Sequence, residues 1–325
     1  MAIRWGLIGC GDIAEKRVAD AIVRDENSVL QVACRRDEAK LAAFARSYSV
    51  PHSMVEADAV FARDDVDAVY IATPVDLHAP QTLSAAASGK HVLVEKPMAL
   101  DAIQCELMIQ ACERAGVSLG VAYYRRFYPV VRRVRELITS GKLGRPLSIL
   151  ATTGNANRFP ADDWRVIRSR GGGGPLMDIG SHRLDLFVDL FGEVVDVKAK
   201  CSRSPDFESE DMATLLLEFK TGQHGVLQCY FGTVNTPDRL EVIGTDGRVT
   251  IDDLNEGGMV LVDASGESHE HHPPHENFHA PLVSDFAASV LGGRTPRVSG
   301  RDGKLASDII EAAYAGFPIA GSGEP

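Results

Sequence analysis

The 325-residue chain has no apolar run that approaches the ~18–20 residues needed to cross a bilayer. Its start lacks the charged-then-apolar pattern of a secretory leader. Its six cysteines, at positions 10, 34, 105, 112, 201 and 229, include no CxxC pair. Cys105 and Cys112 fall on one expected helix, about 10 Å apart along its axis at ~1.5 Å per residue, which is too far for a disulfide. These absences predict a reduced, cytoplasmic protein with no membrane partner. Positive charge is also short: 34 Lys and Arg against 45 Asp and Glu leave a formal net charge of -11. That balance argues against a nucleic-acid surface. What is there is ordinary globular composition, and the length predicts two domains at ~100–200 residues each. The pattern changes near Tyr123, so the expected domains are 1–122 and 123–325, with the alternative that the C-terminal helices pack back on the first.

The first domain opens with the apolar run Ile3 to Ile8, which leads into Gly9-Cys10-Gly11-Asp12-Ile13-Ala14. A G-x-G-x-x-A loop between a strand and a helix is a dinucleotide signal. Gly9 permits the tight turn, Gly11 admits a pyrophosphate, and Ala14 lets the helix (14–23) pack close to the strand. The N–H groups of Asp12, Ile13 and Ala14 and the helix dipole then face the phosphates. The second expected strand, Val29 to Cys34, ends in Arg35-Arg36-Asp37 rather than an acid. Two arginines suit the 2′-phosphate of NADP; the alternative is that both are solvated and Asp37 reaches the ribose.

Helices are expected at 41–47, 55–61, 77–88 and 101–115, and strands at 67–72, 91–94 and 117–122. This alternation predicts a doubly wound parallel sheet. Glu95-Lys96-Pro97 closes the strand His91 to Val94. An acid, an amine and a proline at a strand end are poor packing, and ligands sit outside the carboxyl ends of such strands. Thr73, Pro74 and His78 follow another strand end and face the same crevice, unless His78 caps its own helix.

The second domain has an amphipathic helix (128–139), then strands at 147–153, 194–200, 213–219, 225–231, 239–244 and 248–251, the last two joined at Thr245-Asp246-Gly247. Strands without intervening helices predict an α+β domain with a large, open, mostly antiparallel sheet. A face left uncovered by helices would suit a subunit interface. Gly171-Gly172-Gly173-Gly174 read as a flexible loop before a helix starting near Leu176. Asp178 and His182 are four apart, hence on one face, and with Asp185 could contact one ligand. Imidazole beside a carboxylate is a plausible acid/base pair; a surface ion pair is the plain alternative. Trp164-Arg165 offers an aromatic wall and a cation. The run His269, His271, His272, His275 and His279 matches no closed metal site and reads as a solvated loop. Helices at 281–291 and 303–314 close the chain.

With Gly9-x-Gly11-x-x-Ala14, Glu95-Lys96-Pro97 and Gly174-x-x-x-Asp178-x-Gly180-x-His182-x-x-Asp185 in order, the chain resembles the Gfo/Idh/MocA oxidoreductase family over its whole length. The resemblance implies NAD or NADP in an N-terminal Rossmann domain, a sugar or polyol substrate, and a homodimer or homotetramer formed through the C-terminal sheet. It implies Lys96 as the catalytic lysine, completed by Asp178 and His182. Glu95, Lys96, Pro97, Thr73, Pro74 and His78 would lie at the cofactor, with Trp164-Arg165 reaching cofactor or substrate. Arg35 and Arg36 are like the NADP-preferring branch. Tyr123, Tyr124, Arg126, Asn155, Asn157, Arg158, Trp164 and Arg165 are of types that suit hydroxyl recognition; Tyr123 and Arg126 join Lys96, Asp178 and His182 as the substrate set.

The expected reaction moves a hydride between nicotinamide and a CH–OH carbon. His182 is the expected base, with Lys96 as an ammonium on the developing oxyanion; the reverse assignment stays open. Asp178 would hold a substrate hydroxyl or the imidazole. The rivals are a glycoside hydrolase that oxidises its substrate transiently, and a non-catalytic dinucleotide or sugar sensor. Net change in cofactor redox state per turnover separates the first rival; the presence of Lys96, Asp178 and His182 speaks against the second.

Overall fold

The computed structural model describes residues 2–204, 207–236 and 238–317. They fall into two compact units. The first is the chain up to Tyr124 together with His275–Lys304; the second is Arg125–Pro274 with the segment from Leu305.

The first unit holds six parallel strands: β1 (Ile3–Ile8), β2 (Ser28–Cys34), β3 (His52–Met54), β4 (Ala68–Ile71), β5 (His91–Val94) and β6 (Leu119–Val121). Their order is β3-β2-β1-β4-β5-β6. The order reverses between β1 and β4, which opens a crevice outside the carboxyl ends of those strands. β5 is apolar on both faces because both are covered: Val92, Leu93 and Val94 are fully buried. The helix Ala102–Ala115 shows why local sequence suffices here. The Asp101 side chain accepts the Gln104 N–H at 2.7 Å and starts it, Gly116 stops it in the left-handed region, and Cys105, Met108, Ile109 and Cys112 form its buried stripe. The returning helix Ala280–Leu291 puts Phe286 against Trp5 of β1, ring centroids 5.5 Å apart.

Two features of this unit differ from expectation. The helix expected at 14–23 begins as a π-helical turn, Ala14–Val18, before the α-helix Ala19–Arg24. β3 was not foreseen, since three residues with polar His52 and Ser53 carry no apolar alternation.

The second unit holds an eight-stranded sheet: β7 (Pro146–Gly154), β8 (Val194–Ser202), β9 (Met212–Phe219), β10 (His224–Tyr230), β11 (Arg239–Gly244), β12 (Gly247–Ile251), β13 (Gly258–Asp263) and β14 (Gly266–His271). The order is β14-β13-β12-β11-β7-β10-β9-β8. Every neighbouring pair is antiparallel except β7 with β10. The turn Leu176–Gly180 and the helix Ser181–Phe191 lie on β7 and β10. Along β9, Ala213, Leu215, Leu217 and Phe219 are buried, while Met212 and Leu216 on the other face are 41% and 51% exposed. A period of two with both faces partly apolar is what a sheet covered by helices on one side only would show.

β13 and β14 correct the reading of the histidine run as a solvated loop. His269 and His271 belong to β14, a strand without one apolar side chain, so hydrophobic alternation could not reveal it. Such charged strands are typical of sheet edges. His269 and His271 remain exposed, whereas His279 is not solvated: it is 1% exposed, in the first unit. The four glycines 171–174 are all buried and do not form a flexible loop. A Cβ on Gly174 would overlap the carbonyl of Glu210. Gly171 and Gly174 admit close approach of backbone to backbone, Gly173 makes room for the Tyr314 hydroxyl, and Gly172 takes φ +81°.

Candidate active site

In the first unit the crevice is lined by the segments that leave β1, β2, β4 and β5. Gly9 has φ +86°, and a Cβ there would lie 2.7 Å from the Ala72 carbonyl, so only glycine fits the turn. The Gly9 and Cys10 N–H groups bond the Cys34 carbonyl at 3.0 and 3.2 Å, which ties the loop to the end of β2. A Cβ on Gly11 would have the Gly9 carbonyl, at 4.0 Å, as its nearest neighbour. The chain coils from Asp12 onward, and the first N–H groups of a helix have no partner within it. A cradle that a Cβ would fill, facing unpaired N–H groups, fits a dinucleotide pyrophosphate.

The two arginines after β2 behave differently. Arg35 turns back to the Cys10 carbonyl and reaches Glu15 at 3.4 Å, so it braces the glycine loop. Arg36 is exposed. Asp37 caps the helix Glu38–Ser47 by accepting the Lys40 N–H at 3.0 Å, and that bond holds its carboxyl below the usual range.

Thr73 and Pro74 are half-buried after β4. His78 neither faces a crevice nor caps its helix. It is 1% exposed, and its ring nitrogens contact the carbonyls of Pro97 (3.0 Å) and Thr73 (2.9 Å), clamping the segments after β4 and β5 together. Burial lowers its pKa, although both carbonyls pull the other way.

Lys96 is half-buried and its position is set from below by Glu95, which is 7% exposed. Glu95 Oε2 accepts the Lys96 N–H at 3.1 Å. Oε1 accepts the Tyr70 hydroxyl at 2.8 Å and contacts His279 Nε2 at 3.2 Å. Burial works to raise the Glu95 pKa. The His279 bond and charge, the Lys96 charge and the Tyr70 hydroxyl together outweigh it, so the carboxyl lies below its ordinary value. Tyr124, half-buried, lays its ring on His279 with centroids 4.7 Å apart. Tyr123 is fully buried, a core tyrosine rather than a pocket residue.

In the second unit Asp178 sits in the turn Leu176–Gly180 and His182 in the helix that continues it; Asp178 is half-buried and His182 is 5% exposed. The start of this turn is held by Glu210, 1% exposed, which accepts the N–H groups of Gly174 and Leu176 at 3.0 Å each and the Tyr314 hydroxyl at 2.8 Å. Burial raises the Glu210 pKa above the usual range, against the pull of these neutral donors.

Asp185 and Arg126 require a correction. Neither is available to a substrate: Arg126 bonds Asp185 through Nε at 2.9 and 3.0 Å and Nη2 at 2.7 Å, with side chains 3% and 0% exposed. Asp189 is 3.6 Å from the same guanidinium. The pair is a core ion pair, satisfied by its own geometry.

Trp164 and Arg165 come together as expected of neighbours. The guanidinium lies 4.5 Å from the Trp164 ring and 5.2 Å from that of Phe159, and it pairs with Asp163 at 3.2 Å. Phe159 in turn meets Phe231 edge-on at 4.9 Å. Asn155 is half-buried; Asn157 and Arg158 are exposed.

Sequence reasoning missed His279, Tyr70, Glu210 and Tyr314. No local pattern could pair His279 with Glu95, 184 residues earlier. The one available signal was a histidine directly before an apolar, proline-led helix.

Known proteins agree with this geometry. Residues 3–123 match the family model described as "Oxidoreductase family, NAD-binding Rossmann fold", and residues 131–250 match the "GFO/IDH/MocA C-terminal domain". "Oxidoreductase P35" of Formosa agariphila is 30% identical, covering 95% of this chain and 97% of its own. The 1,5-anhydro-D-fructose reductase of Ensifer adhaerens is 31% identical, over 96% and 97%. Among solved structures, the aldose-aldose oxidoreductase of Caulobacter crescentus, complexed with glycerol, superposes with a TM-score of 0.90 at 31% identity, over 97% of each chain. With a dinucleotide cradle in one unit and both family domains matched, the chain belongs to the GFO/IDH/MocA family and is an NAD(P)-dependent oxidoreductase acting on CH–OH groups.

Proposed function

We propose that the protein interconverts a hydroxyl and a carbonyl carbon on a sugar, polyol or related compound, with Lys96, Asp178 and His182 as the reacting set and NADP as the preferred dinucleotide. The observation that carries this reading is Lys96 itself. It stands at the carboxyl end of β5, in a fold whose ligands bind there, with its backbone tethered by a buried carboxylate. The loop 9–14 would hold the dinucleotide, which when bound would supply the hydride chemistry. In the oxidative direction the His182 imidazole takes the hydroxyl proton. The Lys96 ammonium donates to the same oxygen and stabilises the charge that develops on it. Asp178 anchors a neighbouring hydroxyl or orients the imidazole. In the reductive direction the His182 imidazolium returns that proton to the carbonyl oxygen, and the Lys96 ammonium keeps its hydrogen bond to it. Trp164 offers an apolar face to the sugar ring, and Arg165 a cation beside it.

Replacing Lys96 or His182 by alanine should lower kcat by ~10²–10⁴-fold, the span of general acid–base effects, with NADPH binding kept within about threefold. The assay follows NADPH or NADP absorbance against aldoses, anhydro-ketoses and inositols as probe substrates. Wild-type turnover in both variants would overturn the assignment. A net change in dinucleotide redox state per turnover separates this reaction from glycoside hydrolysis by transient oxidation.

The NADP preference is supported by exposed Arg36 and by Asp37 being spent on a helix cap. Fluorescence titration should give tighter NADPH than NADH binding. Arg36→Ala should weaken NADPH by about tenfold or more, one charged hydrogen bond, and leave NADH unchanged. Tighter NADH binding by the wild type would overturn the preference.

Two smaller readings go with this one. The uncovered face of the eight-stranded sheet, with Val195 56% and Leu216 51% exposed, meets a second copy of the chain. A monomer by light scattering at micromolar concentration would refute that. The enzyme works in the cytoplasm, where its six free thiols stay reduced.

A further inference from the structure

The buried group least explained by the reaction is His279. It belongs to the segment that returns to the first unit, 2% exposed at its side chain, directly before the helix Ala280–Leu291. Its backbone N–H is bound by Asn277 Oδ1 at 3.0 Å, and its carbonyl takes the Val283 N–H at 3.0 Å. The ring is left to make one polar contact, Nε2 to Glu95 at 3.2 Å, and Nδ1 is buried with no hydrogen-bond partner among the described residues. A core filler at this point would be an apolar ring. A histidine buried on a carboxylate makes sense if the carboxylate's orientation or charge matters.

Glu95 is the residue directly before Lys96, and its two oxygens do different work. Oε2 holds the Lys96 N–H, and Oε1 is fixed by Tyr70 and His279. With both oxygens held, the carboxylate plane and the backbone N–H from which Lys96 springs are tied together. The carboxylate and Lys96 also attract each other as opposite charges. The titratable groups that face it are Tyr70 from β4, His78 from the helix after β4, Lys96, and His279 with Tyr124 over its ring. Only Lys96 and the two histidines among these become cationic.

We propose that His279 is a positioning residue for Lys96: acting through the Glu95 carboxylate, it fixes where the ammonium stands and how much of the acid's charge reaches it. The inference rests on the reading of Lys96 as a reacting group. It goes beyond that reading by assigning control of Lys96 to a residue from the far end of the chain.

The experiment reads Lys96 directly, without substrate. In protein labelled with 13C-lysine, the Lys96 side-chain Cε signal is identified by its loss in Lys96→Ala and titrated in wild type, His279→Phe, His279→Gln and Tyr70→Phe. In His279→Phe the Lys96 titration should move by about half a pH unit or more, ~0.7 kcal/mol in the balance between its two states. The move is upward if Glu95 stays ionised, and downward if loss of its partner lets it take a proton. Either displacement, with other lysines unmoved, supports the proposal. His279→Gln, which keeps a donor within reach, should restore most of the wild-type curve, and Tyr70→Phe should move it less. In turnover, kcat of His279→Phe should fall about 10- to 100-fold, as for a misplaced proton-transfer group, while KM and NADPH binding change little.

An unmoved Lys96 titration in both His279→Phe and Tyr70→Phe, beside lower thermal stability, overturns the proposal and leaves His279 a core residue. Lys96→Ala separates the two possible failures. Full activity in that variant overturns the functional reading and removes the inferred role with it. An inactive Lys96→Ala beside unmoved His279 variants overturns this inference alone.

Discussion

Glu95 in the first unit and Glu210 in the second are both nearly fully buried, at 7% and 1% exposure. Both accept backbone N–H groups of a segment that carries a candidate reacting residue: Glu95 from Lys96, and Glu210 from Gly174 and Leu176 ahead of Asp178. Each also takes a tyrosine hydroxyl, from Tyr70 or Tyr314, at 2.8 Å. Yet burial wins at Glu210, whose pKa is raised, and loses at Glu95, whose pKa is lowered. The difference lies in the remaining partners. Glu95 has His279 and Lys96 beside it, whereas the donors to Glu210 are backbone amides and a phenol, none of them cationic. At Glu210 the neutral donors do not outweigh burial, whereas at Glu95 the neighbouring cationic groups tip the balance towards the ionised form. The same device therefore builds an electrostatic support in one unit and a mechanical one in the other.

The largest expected effect tests the mechanical half. Gly174→Ala drives a Cβ into the Glu210 carbonyl, backbone against backbone. It should cost about 3 kcal/mol or more by chemical denaturation, at the upper end of overpacking. A loss below about 1 kcal/mol would mean that the turn before Asp178 yields easily, and the contrast would weaken.

Glu210→Gln and Glu95→Gln come next, each expected to cost ~1–3 kcal/mol at neutral pH, because an amide nitrogen replaces one acceptor of a buried N–H. Their pH dependences should run in opposite directions. Glu210 has a raised folded pKa. Its contribution is fullest below the unfolded value near ~4.5 and is lost as pH rises through the folded value. The penalty of Glu210→Gln should therefore shrink as pH rises above about 4.5 and through the raised folded value. Glu95 has a lowered folded pKa. Its contribution is present above the unfolded value and lost as pH falls through the folded one. The penalty of Glu95→Gln should hold through neutrality and shrink on acidification below about pH 4.5. Parallel curves for the two variants would break the comparison.

The smallest effect calibrates the others with a partly exposed pair. Glu270 accepts Arg133 Nε at 2.8 Å and Nη2 at 3.0 Å, and this pairing brings its pKa down to about 2. Arg133→Ala should cost ~0.5–1 kcal/mol at neutral pH, as for exposed pairs. The loss should fade as pH falls from about 4.5 towards the folded value, because the carboxylate is then protonated in both states.

Most of the first unit was legible because its signals are local. Gly9, Gly11 and Ala14, the apolar β5, and Asp101 with Gly116 around one helix each constrain residues within a turn or two. Asp178 and His182 were placed on continuous helical structure by their spacing alone. The errors arose where partners are distant. Arg126 and Asp185 looked like hydroxyl-binding groups by type, but 59 residues apart they satisfy each other in the core. Four consecutive glycines looked flexible, because nothing in the sequence shows the Glu210 backbone pressed against one of them. β14 was invisible, since an edge strand with two solvated sides needs no apolar residue.

By itself, then, the sequence determined the dinucleotide loop, the parallel and antiparallel halves, and the candidate residues Lys96, Asp178 and His182. Each follows from short-range spacing and from chemistry that few residue types can supply. Only the tertiary structure decided that Glu95, Glu210 and Asp185 are engaged by partners in the interior, and that His279 stands on Glu95. Those outcomes depend on burial and on the charge of neighbours far away in the chain, and neither quantity is defined until the chain has folded.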